Sequence, residues 1–367
     1  MIPIIIGAAA IGLILLTFFL PRKRKVNHPY LEALNCLLSG RREEAIKYLR
    51  EAVRIDSENI DAYLRLGDLW RQQGDGEKAL RIHQSLTVRS GLTKEMRKRI
   101  DFALALDYLA MGNHKRAIAI LKELVRKSKD RDALDYLLKI FEDEGQFIEA
   151  IEFLKEGGKR LVDRRRQAIY YLMAGKDLLE RDPKRGEDYL KEAHKLSSNS
   201  PMVLATLAEL DHKAKRFDLA LGRWQKLLWE YPDLLMAVKD RLENTYFEAN
   251  RYGDIEGLYE QVLNRHQYNI PVSLALIRIY QKKGENNKLK SILERLKEYR
   301  ARLLLPRLIE LDLHLGSGPA RELLERLIDE GEPFRYHCSV CGKDQSEFTW
   351  RCPNCGAWES LRPSFLF

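Results

Sequence analysis

The chain has 367 residues, 45% hydrophobic and 32% charged, with a formal net charge of +9. Five cysteines in that length exclude a disulfide framework and favour a reducing compartment. The charge alone permits nucleic-acid binding, but its short runs, Arg97-Lys98-Arg99 and Arg164-Arg165-Arg166, fit solvated faces at helix beginnings.

The first predicted element is an apolar helix. Ile2 to Leu20 carries no charge and is interrupted only by Pro3, Gly7, Gly12 and Thr17. At 1.5 Å per residue it spans about 28 Å, close to a hydrocarbon core of ~30 Å. Arg22, Lys23, Arg24 and Lys25 follow at once. Positive charge stays in the cytoplasm, so the N-terminus is expected outside and everything after Pro21 inside. A cleaved signal would carry its charge before the apolar run and small residues at its end. Here the charge comes after, and Ala8-Ala9-Ala10 sits mid-helix. The segment is therefore expected to be a retained anchor. The basic cluster adds about 1 kcal/mol per residue of attraction to an anionic leaflet.

The middle of the chain repeats itself. Its clearest unit runs Tyr63-Leu64-Arg65-Leu66-Gly67-Asp68-Leu69-Trp70, then Gly74, then Glu77-Lys78-Ala79-Leu80 to Leu86. This unit resembles a tetratricopeptide repeat, a helix pair with small residues where the helices meet. The small position of the second helix recurs at Ala45, Ala79, Ala117, Ala150, Gly186 and Ala220, with weaker matches at Ile255 and Leu289. The spacings are 34, 38, 33, 36, 34, 35 and 34 residues, and the longest is accounted for by a loop near Ser90-Gly91-Leu92-Thr93. Pro232 is placed to end a second helix after Trp224, Leu227 and Leu228. Two more helices, about Leu303–Leu315 and Pro319–Glu330, would close the stack. Cys36 falls in an apolar helical pattern and reads as a core residue, and His83 as a packed imidazole.

A repeat array of this kind presents an extended surface that binds proteins or peptides. In the usual repeat register Asp68, Arg71, Lys139, Glu142 and Arg278 point into its groove as candidate partner-binding residues. No enzyme constellation is present: there is no phosphate loop, no H-E-x-x-H and no G-x-S-x-G.

The last element is Cys338-Ser-Val-Cys341-Gly, ten residues, then Cys352-Pro-Asn-Cys355-Gly. Two such pairs bring four thiolates to one point, which suits a tetrahedral metal ion. With all four positions filled by protein, the site is closed and structural, and the ion is zinc or iron. Gly342 and Gly356 let the backbone curl so that amides can face the sulfurs. His337 stands next to the first ligand as a possible competitor. Phe334, Tyr336, Phe348, Trp350 and Trp358 are expected to pack over the metal loops or against the last helices. The Gly331-Glu332-Pro333 linker is too short for a free-standing ribbon.

The expected fold is all-α: a tetratricopeptide-repeat superhelix of about eight or nine helix pairs, with one N-terminal transmembrane helix and a small C-terminal metal ribbon. Residues 1–21 form the anchor, 22–26 a basic linker, 27–331 the array and 332–367 the ribbon. This layout resembles the lipopolysaccharide assembly protein B family of Gram-negative inner membranes. The most specific stretches are Leu66-Gly67-Asp68-Leu69 through Arg81-Ile82-His83-Gln84-Ser85-Leu86, and Phe348-Thr349-Trp350-Arg351-Cys352-Pro353-Asn354-Cys355 with Ala357-Trp358. The resemblance implies a non-enzymatic adaptor in lipid A supply. It would help a membrane AAA+ protease degrade the deacetylase that commits cells to lipid A synthesis, and would meet other inner-membrane proteins through its anchor. It also implies that Cys338, Cys341, Cys352 and Cys355 ligate a metal, with the knuckles rubredoxin-like. The competing reading is a nucleic-acid-binding or redox ribbon with the repeats as spacer. The short interval between the cysteine pairs weighs against redox chemistry.

Overall fold

The computed structural model describes residues 28–158, 161–299 and 334–365. The anchor, the basic linker and the two closing helices expected from the sequence lie outside these residues. Among the described residues, no helix is long and apolar enough to cross a membrane. The chain divides into two compact units, one up to Glu144 and one from Gly145 onward.

The first unit is α1 (Pro29–Leu38), α2 (Arg42–Ile55), α3 (Ile60–Gln72), α4 (Gly76–Thr87), α5 (Lys94–Ala110), α6 (His114–Ser128) and α7 (Arg131–Asp143). Asn59, Asp75, Thr93, Asn113 and Asp130 start five of these helices, each accepting a hydrogen bond from a first-turn amide. The turn after α3 needs a left-handed residue, supplied by Gly74 at φ +87°. The long spacing is taken up where expected, between Thr87 and Lys94. Ala45, Ala79 and Ala117 are fully buried, and Cys36 lies in the core with Leu49 and Ala52.

The basic run at Arg97 is only partly a solvated face. Lys98 Nζ pairs with Asp130 at 2.8 Å, and Arg99 joins Asp61, which also binds Arg65 and Tyr30. Three helices are thereby tied at one carboxylate.

Gly67 explains the Leu-Gly of the repeat. A Cβ there would lie 2.3 Å from His83 Nε2, so its absence admits the imidazole between α3 and α4. His83 is fully buried, with Nε2 3.1 Å from Leu64 O and Nδ1 2.5 Å from Asp107. The ring is thereby held between a backbone carbonyl and a buried carboxyl group, one at each nitrogen. Asp107 also receives Arg71 at 2.8 Å, which completes a buried network across α3, α4 and α5. Gly67→Ala is expected to evict the ring and lower stability by about 1–3 kcal/mol, read as a shift of the urea midpoint at constant slope.

The second unit contains α8 (Phe147–Phe153), α9 (Arg164–Leu178), α10 (Pro183–Leu196), α11 (Pro201–Lys213), α12 (Phe217–Glu230), α13 (Leu235–Glu248), α14 (Asp254–Arg265), α15 (Ile270–Lys283) and α16 (Asn286–Tyr299). A 3-10 turn, Pro232–Leu234, separates α12 from α13, where Pro232 was expected to stop a helix. Ala150, Gly186, Ala220 and Leu289 are buried at the fourth position of their helices, and Ile255 is buried at the second position of α14. At Gly186 a Cβ would meet Leu179 N at 2.9 Å, so α9 and α10 approach backbone to backbone. Trp224, Tyr246 and Tyr259 fill the core without exposure, and Trp224 Nε1 donates to Thr245 Oγ1 at 3.1 Å. Burying the indole costs little because its one donor is satisfied.

The unit ends in a three-stranded antiparallel sheet, β1 (Phe334–Cys338), β2 (Asp344–Gln345) and β3 (Leu361–Phe365), with β1 central. Tyr336 faces Gln345 on one side and Pro363 on the other. The proline sits on an edge strand, where a missing amide is tolerated.

Candidate metal centre and its docking on the repeats

Each cysteine pair closes a turn of the same design. Cys338 N donates to Lys343 O and Gly342 N to Cys338 O, at 3.0 and 2.9 Å. Cys352 N donates to Ala357 O and Gly356 N to Cys352 O, both at 2.8 Å. Gly342 and Gly356 have φ of +71° and +76°, a conformation other residues adopt only with strain. The curl turns the amides of Lys343 and Ala357 onto the sulfurs of Cys341 and Cys355.

The two turns meet face to face. All four Sγ atoms lie within 4.8 Å of one another. Sulfurs about 2.3 Å from one ion at tetrahedral angles lie roughly 3.8 Å apart. Here Cys338 and Cys355 are 3.7 Å apart, and Cys341 and Cys352 are 3.8 Å apart. The residues present therefore fit one tetrahedral ion, and Cys338, Cys341, Cys352 and Cys355 would hold it. The group is a closed site with no position for a substrate.

The surroundings of Cys338 and Cys341 favour thiolate. Ser360 Oγ lies 3.3 Å from Cys338 Sγ, and Asn354 Nδ2 donates to Cys341 Sγ at 3.4 Å. Burial raises the Cys338 thiol, but Ser360 and the amides of Cys341 and Val340 outweigh it and bring its pKa down to about 6. Burial and three neighbouring sulfurs push Cys355 up to about 12. An ion that draws on all four sulfurs displaces their protons. His337 is not a fifth ligand. Its Nδ1 is held by Asp344 at 2.9 Å across the β1–β2 hairpin.

The ribbon does not stand free. Phe348 stacks edge-on against Tyr336 at 5.3 Å and Trp350 at 4.8 Å, and both Phe348 and Trp350 pack on the core of α11 to α16. Trp358 meets Phe147 of α8 at 6.3 Å. Phe348 also packs on the cluster of Cys338 and Cys352, as expected, whereas Trp358 reaches α8, far earlier in the chain than the last helices.

Glu359 fixes the contact. It is 7% exposed and holds a left-handed backbone at φ +50°. Its Oε1 accepts from Ser200 Oγ at 2.5 Å and from Met202 N at 2.9 Å, and Oε2 pairs with Arg165 Nε. Ser200 itself caps α11 through Val203 N at 3.2 Å. A ribbon carboxylate therefore sits on the positive end of α11, where both free amides and the helix dipole favour it. The Arg164-Arg165-Arg166 run starts α9 as expected, yet Arg165 is engaged by the ribbon.

Of the proposed groove residues, Asp68, Arg71, Lys139 and Glu142 belong to the first unit and Arg278 to the second. Arg71 pairs with Asp68 at 2.5 Å and with buried Asp107, so its guanidinium is used inside the first unit. Glu142 is buried on α7 and Lys139 exposed one turn before it. Arg278 is half-buried on α15 of the second unit.

Comparisons with known proteins place these parts. Residues 336–363 match the family model described as rubredoxin metal binding domain, and residues 37–88 and 102–157 match tetratricopeptide repeat models. Lipopolysaccharide assembly protein B of Escherichia coli (strain K12) is 26% identical over 352 residues, covering 92% of this chain and 90% of that protein. Its namesake in Haemophilus influenzae is 25% identical over 363 residues, with the same coverage of 92% and 90%. Among solved structures, the C-terminal part of a repeat-containing protein from Cytophaga hutchinsonii is 12% identical with a TM-score of 0.37, covering 76% of this chain and 97% of that one. A likeness at that level carries no argument. Along nearly its whole length, this chain is similar to lipopolysaccharide assembly protein B, the family whose repeats and four-cysteine ribbon its sequence resembles.

Proposed function

We propose that this chain is a non-enzymatic adaptor in lipopolysaccharide synthesis, tethered to the inner membrane through residues 1–21 with the repeats and ribbon on the cytoplasmic side. Within this reading it brings the deacetylase of the committed lipid A step to a membrane AAA+ protease. The observation that carries it is the closed four-sulfur site docked on a helical-repeat unit. The sulfur site has no open position for chemistry, and helical repeats present surfaces that hold other proteins. The similarity to relatives named for lipopolysaccharide assembly supplies the pathway. Tethering raises effective concentration, so weak contacts with a client suffice.

The basic runs favour this reading over a nucleic-acid ribbon, because Lys98, Arg99 and Arg165 are engaged in ion pairs within the fold. Crosslinking in native membranes followed by mass spectrometry tests the proposal. Recovery of the protease and the deacetylase, with a longer deacetylase half-life in depleted cells, is the expected result. Recovery of neither, or salt-dependent binding to RNA by the purified chain, would overturn it.

A further inference from the structure

The helix that opens the repeats is apolar on two faces. α1 reads Pro29-Tyr-Leu-Glu-Ala-Leu-Asn-Cys-Leu-Leu38, with Glu32 as its one charged residue. Ala33 and Cys36 are buried in the core shared with α2 and α3. On the opposite side Leu31, Leu34 and Leu38 fall at i, i+3 and i+7, a single stripe down the helix. Leu31 is 56% exposed and Leu38 88% exposed, with Leu34 half-buried between them. Asn35, also exposed, is the polar member of that face.

The next helix has an ordinary solvated side. Glu43, Lys47, Arg50 and Arg54 follow one another down the exposed face of α2. A helix that is apolar all round belongs where both of its sides are covered. Among the described residues, Leu31 and Leu38 have no such cover.

A lipid surface is the cover that position, charge and area favour. The uncharged run Ile2 to Leu20 is separated from α1 only by Pro21 to His28, which reach at most about 30 Å when fully extended. From Pro21 to Gly40 the chain sets Arg22, Lys23, Arg24 and Lys25 against Glu32 alone, a balance that draws this stretch to an anionic leaflet. One face of a ten-residue helix falls well short of the roughly 800 Å² per partner in a stable protein interface. A surface to which the chain is already tethered needs no such area, because tethering raises its effective concentration.

We propose that α1 lies flat on the cytoplasmic leaflet, with Leu31, Leu34 and Leu38 seated at the boundary between headgroups and acyl chains. The proposal rests on residues 1–21 being a membrane anchor, and adds the first repeat helix as a second membrane contact. Two points of attachment fix the orientation of the first unit on the bilayer, where the anchor alone would leave it swinging on its linker.

Spin labelling of the full-length chain in nanodiscs of phosphatidylethanolamine and phosphatidylglycerol tests this. Leu38→Cys carries the label on the stripe, and Lys47→Cys carries it on the charged side of α2. Both positions are exposed, so neither substitution disturbs the core. Cys36 is buried, and the unsubstituted chain carried through the same labelling sets the background. The label at position 38 is expected to be open to oxygen, shielded from a water-soluble nickel chelate, and about 5–10 Å below the lipid phosphates. The label at position 47 should meet the chelate freely. Adding Leu31→Glu should raise chelate access at position 38 by about twofold or more, because a carboxylate resists entry into an apolar layer.

A label at position 38 open to the chelate, in chains that float with the discs, overturns the proposal and leaves the anchor standing. A label shielded from both oxygen and chelate reveals a protein cover, whether a second copy or another segment of this chain, and also overturns it. An unchanged label in the Leu31→Glu chain does the same. Chains that do not float with the discs overturn the anchor and the proposal together.

Discussion

Cys352→Ser is expected to abolish metal retention and melt the ribbon while the helical signal persists. The residue is buried at the centre of the sulfur cluster, and its loss removes one of four ligands. Among residues 334–365 the buried apolar cluster is Tyr336, Leu361, Cys338 and Cys352, with Cys341, Phe348 and Cys355 partly buried against it. So small a core cannot fold alone, and metal binding of order 10 kcal/mol in comparable structural sites must supply the difference. Metal per chain by mass spectrometry should fall from one to near zero. Trp350 and Trp358 should report the change in fluorescence, and limited proteolysis should cut within the ribbon. Far-UV circular dichroism should stay close to the parent. A chelator strong enough to strip the wild-type chain should reproduce every one of these readouts. Loss of the far-UV signal with the metal would show that the helices depend on the ribbon throughout.

Glu359→Ala is expected to keep the metal and lose the docking. The carboxylate is almost fully buried and serves a hydroxyl, an amide and a guanidinium. Removing it leaves Ser200 Oγ and Met202 N unpaired at the start of α11. Charge-assisted hydrogen bonds contribute about 1.5–3 kcal/mol each, and partial rehydration of Arg165, whose side chain is 42% exposed, offsets part of the loss. A destabilisation of about 2–4 kcal/mol for the second unit follows, measured by chemical denaturation. Arg165→Ala should cost less, because that partner already faces water. Glu359→Gln should fall between the two, since it retains an acceptor for α11 but not the charge. If Glu359→Ala and the parent unfold at the same midpoint, the carboxylate does not hold the ribbon.

What was legible in the sequence is what local spacing encodes. The four ligands announce themselves because two turns of identical chemistry each need Cys-x-x-Cys-Gly. The repeat register is legible because Ala45, Ala79 and Ala117 recur where two helices must nearly touch, and Pro232 because it cannot continue a helix. Cys36 and His83 also fall where an apolar pattern puts them. The Glu359 clamp was hidden for the opposite reason. Its partners lie 159 and 194 residues away, and a single acidic residue after a tryptophan has no periodicity. Nor does Glu359 advertise its left-handed backbone, since only glycine or asparagine would suggest one. Arg71 shows the same limit. Repeat register gives its face on α3, but the buried carboxylate that captures it arrives from α5, 36 residues later.

The capping of α11 by Glu359 has a consequence for how the polypeptide is made. Met202 leaves the ribosome 157 residues before the carboxylate that completes its helix. At 5–20 residues per second that is a delay of roughly 8–30 s, during which the mid-chain helix begins with open amides. Only a chain translated past Glu359 can close that gap. The start of α11 is therefore completed by a residue made long after the helix itself, and a nascent chain that stops before Glu359 presents Met202 N uncapped.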